Sequence, residues 1–162
     1  MMIIALYMVS KELSSVLLFI PGVVVSFIVC IKLSNKIHDK SKSLLSWYLI
    51  ALAIQFLHFA EEYLTGFVSK LPAIIGQEPY PLDYWVTFNM VAYSIFVLGA
   101  IALHKNTRSY FIIPVFFIVV GVILNGVAHV LLSFYTGGYF PGLFTAIIYV
   151  ILIPLIIRSG FK

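Results

Sequence analysis

Two imidazoles, two carboxylates and an amide stand out in a chain that is otherwise strongly apolar. They are His58, Glu61 and Glu62, written HFAEE, and then Asn125 and His129 four residues apart. Imidazole and carboxylate donors suit zinc, iron or manganese. On a helix His58 faces the same way as Glu61 and Glu62, three and four residues on, and Asn125 lies one turn ahead of His129. The reading is a metal site with His58, Glu61, Glu62 and His129 as ligands to a divalent ion. Glu61, Glu62, Asn125 and Tyr139 are the catalytic candidates: a glutamate left off the ion would act as general base on water, and Asn125 or Tyr139 would orient substrate. The expected reaction is hydrolysis or oxidation of a hydrophobic, lipid-like molecule.

Two other readings compete on the same residues. A buried carboxylate pair beside two histidines also suits a proton relay or a cation site in a small transporter. Against this, the inner halves of the expected spans are nearly all apolar, and no internal repeat is visible, so a transporter of this size would work as an oligomer. Alternatively the polar groups bond only to one another and hold helices together. The ligand set is also short of histidines, because His38 and His104 fall in expected loops on the opposite side.

The elements that must position these groups follow from composition. Across 162 residues, 62% are hydrophobic and 10% charged, and the mean hydropathy is +1.10. That excludes an ordinary soluble domain. A crossing of the ~30 Å hydrocarbon layer needs about 20 apolar residues. The fold class expected is all-α, a single polytopic bundle with about five spans at residues 13–31, 44–67, 84–103, 110–134 and 140–157. KLSNKIHDKSKS, between the first two, is read as a loop. Residues 69–83, carrying Pro72, Pro79 and Pro81, are read as an exposed connection, rigid or folded over the site as a lid. The lone Cys30 sits in an apolar run and suits packing.

Orientation follows from the basic residues, which short cytoplasmic loops retain. With the N-terminus outside and the C-terminus cytoplasmic, Lys32, Lys36, Lys40, Lys42, Lys105, Arg108, Arg158 and Lys162 lie inside, leaving only Lys11 and Lys70 outside. The net charge of +4 is then topological, and no nucleic-acid partner is expected. The partners expected are the bilayer, a hydrophobic small molecule and, for transport, further copies of the chain. The location expected is the cell membrane.

Depth brings the polar residues to one level. At about 1.5 Å per residue, His58, Glu61 and Glu62 fall in the outer half of the second span, with Asn125 and His129 in the outer half of the fourth. Asn89 and Thr145, near the starts of inward-running spans, reach the same layer. Gln55, His58, Glu61, Glu62 and Thr65 share one sector of their helix. Carboxylates facing lipid would cost about 2.5 kcal/mol or more each, so this stripe is expected to face protein. Tyr80, Tyr84, Trp85, Tyr135 and Tyr139 mark the outer boundary as an aromatic belt.

His58-Phe59-Ala60-Glu61-Glu62 resembles the signature of the HXXEE family of small bacterial membrane proteins. The segment NGVAHVLLSFYTGGYFPGLFTA is similar to the second half of that family's pattern, through Asn125, His129, Tyr139, Pro141, Gly142, Thr145 and Ala146. The resemblance covers the chain from the second span to the fifth. It implies a shared intramembrane site and a bacterial plasma membrane; it implies no particular reaction.

Overall fold

The computed structural model describes residues 13–161, with side chains from residue 20 onward. Lys11, Lys162 and the expected external N-terminus lie outside the described residues. The described chain is helical, with no strand. The elements are α1 (Leu13–Thr65), α2 (Phe67–Ile74), α3 (Leu82–His104), a 3₁₀ turn at Arg108–Tyr110, α4 (Ile112–Phe116), a π-helical stretch at Phe117–Leu124, α5 (Asn125–Tyr135) and α6 (Leu143–Gly160). Four helical stretches are long and apolar enough to cross a membrane: Ile20–Thr65, Leu82–His104, Arg108–Tyr135 and Leu143–Gly160.

The expectation of a loop at KLSNKIHDKSKS is corrected: this stretch is helix, and it joins the first two expected spans into α1. The segment contains no glycine or proline to break a helix. Its Ile37, Ser41 and Leu44, at i, i+4 and i+7, are buried, while Lys32, Lys36, Lys40 and Lys42 are exposed. Such a stripe is what an amphipathic helix at a surface presents.

Helix α1 is nevertheless not straight. A Cβ on Gly22 would meet the Val120 side chain at 2.7 Å, and one on Gly121 would meet Gln55 Oε1 at 3.7 Å. Residues 22 and 55 thus flank neighbouring positions of the π-helical stretch, whereas a straight helix would set them about 50 Å apart. Between them, Asn35 accepts a hydrogen bond from Arg108 at 3.0 Å and Lys36 donates to the Phe161 carbonyl at 3.4 Å. Leu44 packs where a Cβ on Gly160 would stand. The middle of α1 therefore lies across the end of the bundle where α6 finishes, and its two arms return along the same neighbours.

The expected connection 69–83 is also partly helical. Gly66, at φ 82°, ends α1 in the left-handed region that glycine tolerates. Helix α2 then starts at Phe67, and the Tyr80 N–H returns to the Val68 carbonyl at 2.9 Å.

Below the polar layer the arm of α1 packs through large groups. Tyr48, fully buried, donates to the Phe96 carbonyl at 2.7 Å and meets the Phe117 ring edge-on. Two turns further out, Gln55 joins three helices. It donates to the Tyr93 hydroxyl at 3.2 Å, accepts from Tyr149 at 2.7 Å, and Tyr93 donates onward to Asn89. In an apolar solvent such bonds between helices supply cohesion that burial of oily surface does not. This network is the floor of the site.

Candidate functional site

His58 stands one turn beyond Gln55 on α1 and Glu62 one turn beyond His58, so all three face the bundle interior. The π-helical stretch Phe117–Leu124 takes in Gly121 and ends at Asn125. Such stretches shift the phase of the side chains that follow and recur at functional sites. Here the phase that follows sends Asn125 and His129 toward α1. His58, Glu62 and His129 are all buried, at 0%, 6% and 2% relative exposure.

The hydrogen bonds constrain where the protons lie. His129 Nδ1 is 2.5 Å from the Pro141 carbonyl, which only accepts, so Nδ1 carries the proton. His58 Nδ1 is 2.7 Å from Thr145 Oγ1. That hydroxyl has two acceptors within reach, Glu61 Oε2 at 2.6 Å and the Gly142 carbonyl at 3.2 Å. With its own proton given to either one, it accepts from His58 Nδ1. With His58 in that Nδ1–H form, both imidazoles point Nε2 lone pairs inward.

These lone pairs converge on a carboxylate. Glu62 Oε1 lies 3.4 Å from His58 Nε2 and 3.2 Å from His129 Nε2, with the two rings edge to face at 4.6 Å. The Asn125 amide approaches His58 Nε2 at 2.8 Å. Asn125 serves His58 Nε2, and Glu62 Oε1 faces His129 Nε2 at a distance that a shared proton or a cation joins.

Glu61 points elsewhere. Its Oε1 accepts from Tyr139 at 2.8 Å and from the Phe144 N–H at 3.0 Å; its Oε2 accepts from the Thr145 N–H at 2.9 Å and the Thr145 hydroxyl. Helix α6 begins at Leu143, and its N-cap residue Gly142 has no side chain to cap it. Glu61 supplies the cap from α1, placing a carboxylate at the positive end of α6. Burial and the Glu61 carboxylate raise the Tyr139 hydroxyl above its ordinary value, which keeps it a donor.

The structure thus brings His58, Glu62, His129 and Asn125 together and holds Glu61 and Tyr139 one step away, linked through Thr145. Asn89 bonds to Tyr93 and to the Trp85 carbonyl rather than to the histidines. Sequence reasoning did not foresee the roles of Pro141 and Gly142 at the histidines, although the YFPG turn held the signal. A further contribution comes from Phe67, whose ring lies 5.4 Å from that of His129. Phe67, at the start of α2, therefore packs against His129.

His58, Glu62 and His129 pass a simple test as metal ligands. Their donor atoms lie within 4.8 Å of one another. Donors at about 2.0–2.1 Å from a tetrahedral ion stand about 3.3–3.4 Å apart, and the two histidine–glutamate separations are 3.4 and 3.2 Å.

A family model described as "Protein of unknown function with HXXEE motif" matches residues 49–157. No curated protein and no solved structure gives a match.

Proposed function

We propose that this chain, which belongs to the HXXEE family, is a membrane metalloprotein in which His58, Glu62 and His129 hold one divalent transition-metal ion, with zinc the first choice over iron or manganese. The observation that carries this reading is the convergence of His58 Nε2, His129 Nε2 and Glu62 Oε1, with both Nδ1 atoms turned outward to Thr145 and Pro141. Two histidines and one glutamate form a three-ligand set of the kind found in catalytic zinc sites, which keep a position open.

An ion so held supplies Lewis acidity and activates water near neutral pH. That supports metal-assisted hydrolysis of a hydrophobic, lipid-like substrate. Pro141 and Thr145 orient the two imidazoles, Glu61 fixes Thr145, and Asn125 is placed to hold a polar group of the substrate. A cavity of about 350 Å³ lined by Lys70, Ala73, Ile74, Thr136, Tyr139 and Phe140 lies beside the centre. Phe140 is shared between them, its ring 6.1 Å from that of His129.

Elemental analysis of protein purified in detergent without chelator tests the reading. The wild type retains close to one equivalent of zinc, iron or manganese, and His58→Ala, His129→Ala and Glu62→Gln each lose it while remaining monodisperse. Wild type with no more metal than the variants, after incubation with each ion, overturns it.

A second reading rests on Asn125. Its amide already bonds to His58 Nε2, leaving Glu62 Oε1 and His129 Nε2 at 3.2 Å, a distance that one shared proton spans. Metal-free wild type would then mark the cluster as a proton site.

A further inference from the structure

The two histidines are oriented by unlike partners. His129 bonds to the Pro141 carbonyl, an acceptor with no proton to give, so its tautomer is fixed by that contact alone. His58 bonds to the Thr145 hydroxyl, which donates as readily as it accepts. Two self-consistent arrangements therefore exist around His58. In one, Nδ1–H donates to Thr145, and Nε2 takes a bond from the Asn125 amide nitrogen. In the other, the hydroxyl donates to Nδ1, the Asn125 amide is turned, and Nε2–H donates to its oxygen. Only the first puts a lone pair on Nε2, which an ion would take over from the Asn125 amide.

The choice between them lies with Glu61. Its Oε2 takes the Thr145 hydroxyl proton at 2.6 Å, a charge-assisted bond of roughly twice the strength of a neutral one. In the second arrangement this bond is given up, and Oε2 keeps only the Thr145 N–H at 2.9 Å. Glu61 cannot follow the hydroxyl, because Tyr139 and the Phe144 N–H hold its other oxygen at 2.8 and 3.0 Å. The carboxylate is thus anchored to the start of α6 at three further points.

We infer that Glu61 and Thr145 are positioning residues, a carboxylate–hydroxyl–imidazole relay that keeps the His58 proton on Nδ1 and commits its Nε2 lone pair to the centre. Carboxylates that bond to the far nitrogen of a metal-ligating histidine set its tautomer and raise its basicity; here a threonine hydroxyl is inserted between the two. The two glutamates of the motif then divide the work, Glu62 in the centre and Glu61 behind His58. Only the use made of the lone pair rests on the metal reading above.

The tautomer is measured directly by ¹⁵N NMR of histidine-labelled, metal-free protein in a His38→Gln, His104→Gln background. Wild type is expected to show both His58 and His129 as the Nδ1–H form. Thr145→Val and Glu61→Gln move His58 to Nε2–H or to a mixture, Thr145→Ser restores Nδ1–H, and His129 stays unchanged throughout as the internal report of the fold. His58 on Nε2–H in the wild type overturns the inference, as does His58 unchanged on Nδ1–H in Glu61→Gln, which preserves side-chain volume even where Thr145→Val fails to fold. Zinc titration then gives about a tenfold or greater loss of affinity in Thr145→Val and recovery in Thr145→Ser. A protein that binds no zinc at all sinks the metal reading and leaves the tautomer result standing.

Discussion

The backbone of Gly142 lies against the edge of His129: a Cβ at residue 142 would stand 2.6 Å from His129 Nδ1 and 2.8 Å from His58 Cε1. Gly142 also has φ 88°, a conformation that side-chain-bearing residues adopt at a cost. The turn that starts α6 thus presses bare backbone onto both imidazoles. Gly142→Ala is expected to displace the rings and lower metal retention at least about tenfold, the loss typical when ligand support is disturbed. Gly138→Ala, where a Cβ meets nothing within 4 Å, is the control and retains wild-type metal. Equal metal content in the two variants would show that the turn does not set the histidine geometry.

Glu61 bonds to α6 from another helix, so its removal acts first on stability. Glu61→Ala leaves the Phe144 and Thr145 N–H groups without an acceptor, and loss of a helix cap costs about 0.5–2 kcal/mol. Tyr139→Phe removes one donor of the four and leaves the cap in place, so it is expected to cost less. Reversible unfolding in mixed micelles gives the order. A larger loss in Tyr139→Phe than in Glu61→Ala would contradict the capping role.

The floor of the site behaves as a unit. Tyr149→Phe removes the donor to Gln55 Oε1 in a buried place, and an unpaired buried acceptor costs roughly 1–3 kcal/mol. Gln55→Leu removes the partner as well, so the double variant is expected to cost less than the sum of the singles. Helix-bonding residues in membranes couple more weakly than burial suggests, and a coupling near 0.6 kcal/mol is anticipated. Additive effects would mean that the Gln55–Tyr149 contact contributes nothing to cohesion.

Much of this arrangement is legible in the sequence, because polar side chains in apolar helices are conspicuous and helical spacing assigns them faces. HFAEE on one face and Asn125 with His129 on another suffice to expect His58, the glutamates of the motif and His129 at one centre. Spacing alone does not separate Glu61 from Glu62. Adjacent residues diverge by about 100° on a helix, and which one faces the histidines depends on the packing of α6. The π-helical stretch, which aims Asn125 and His129, has no residue signature of its own in FIVVGVIL. The continuity of α1 through KLSNKIHDKSKS was hidden for a different reason: charge there mimics a loop, while Ile37, Ser41 and Leu44 carry the helical stripe.

The last prediction concerns the direction in which the bundle sits. Asn35 meets Arg108 and Lys36 meets Phe161, which gathers the middle of α1, the α3–α4 link and the end of α6 at one end. The Tyr139 turn stands at the other, because α6 starts beside it and its 18 residues span about 27 Å. Lys32, Lys36, Lys40, Lys42, Lys105, Arg108 and Arg158 all belong to the first end, and positive residues in short segments stay on the cytoplasmic side. We therefore expect that, in a Cys30→Ser background, Gly138→Cys is labelled by a membrane-impermeant maleimide in intact cells, whereas Lys40→Cys is labelled only after permeabilisation. The His58–Glu62–His129 cluster would then lie nearer the outer face. Labelling of Lys40→Cys in intact cells, with Gly138→Cys protected, would reverse the bundle and place the cavity beside Tyr139 on the cytoplasmic side.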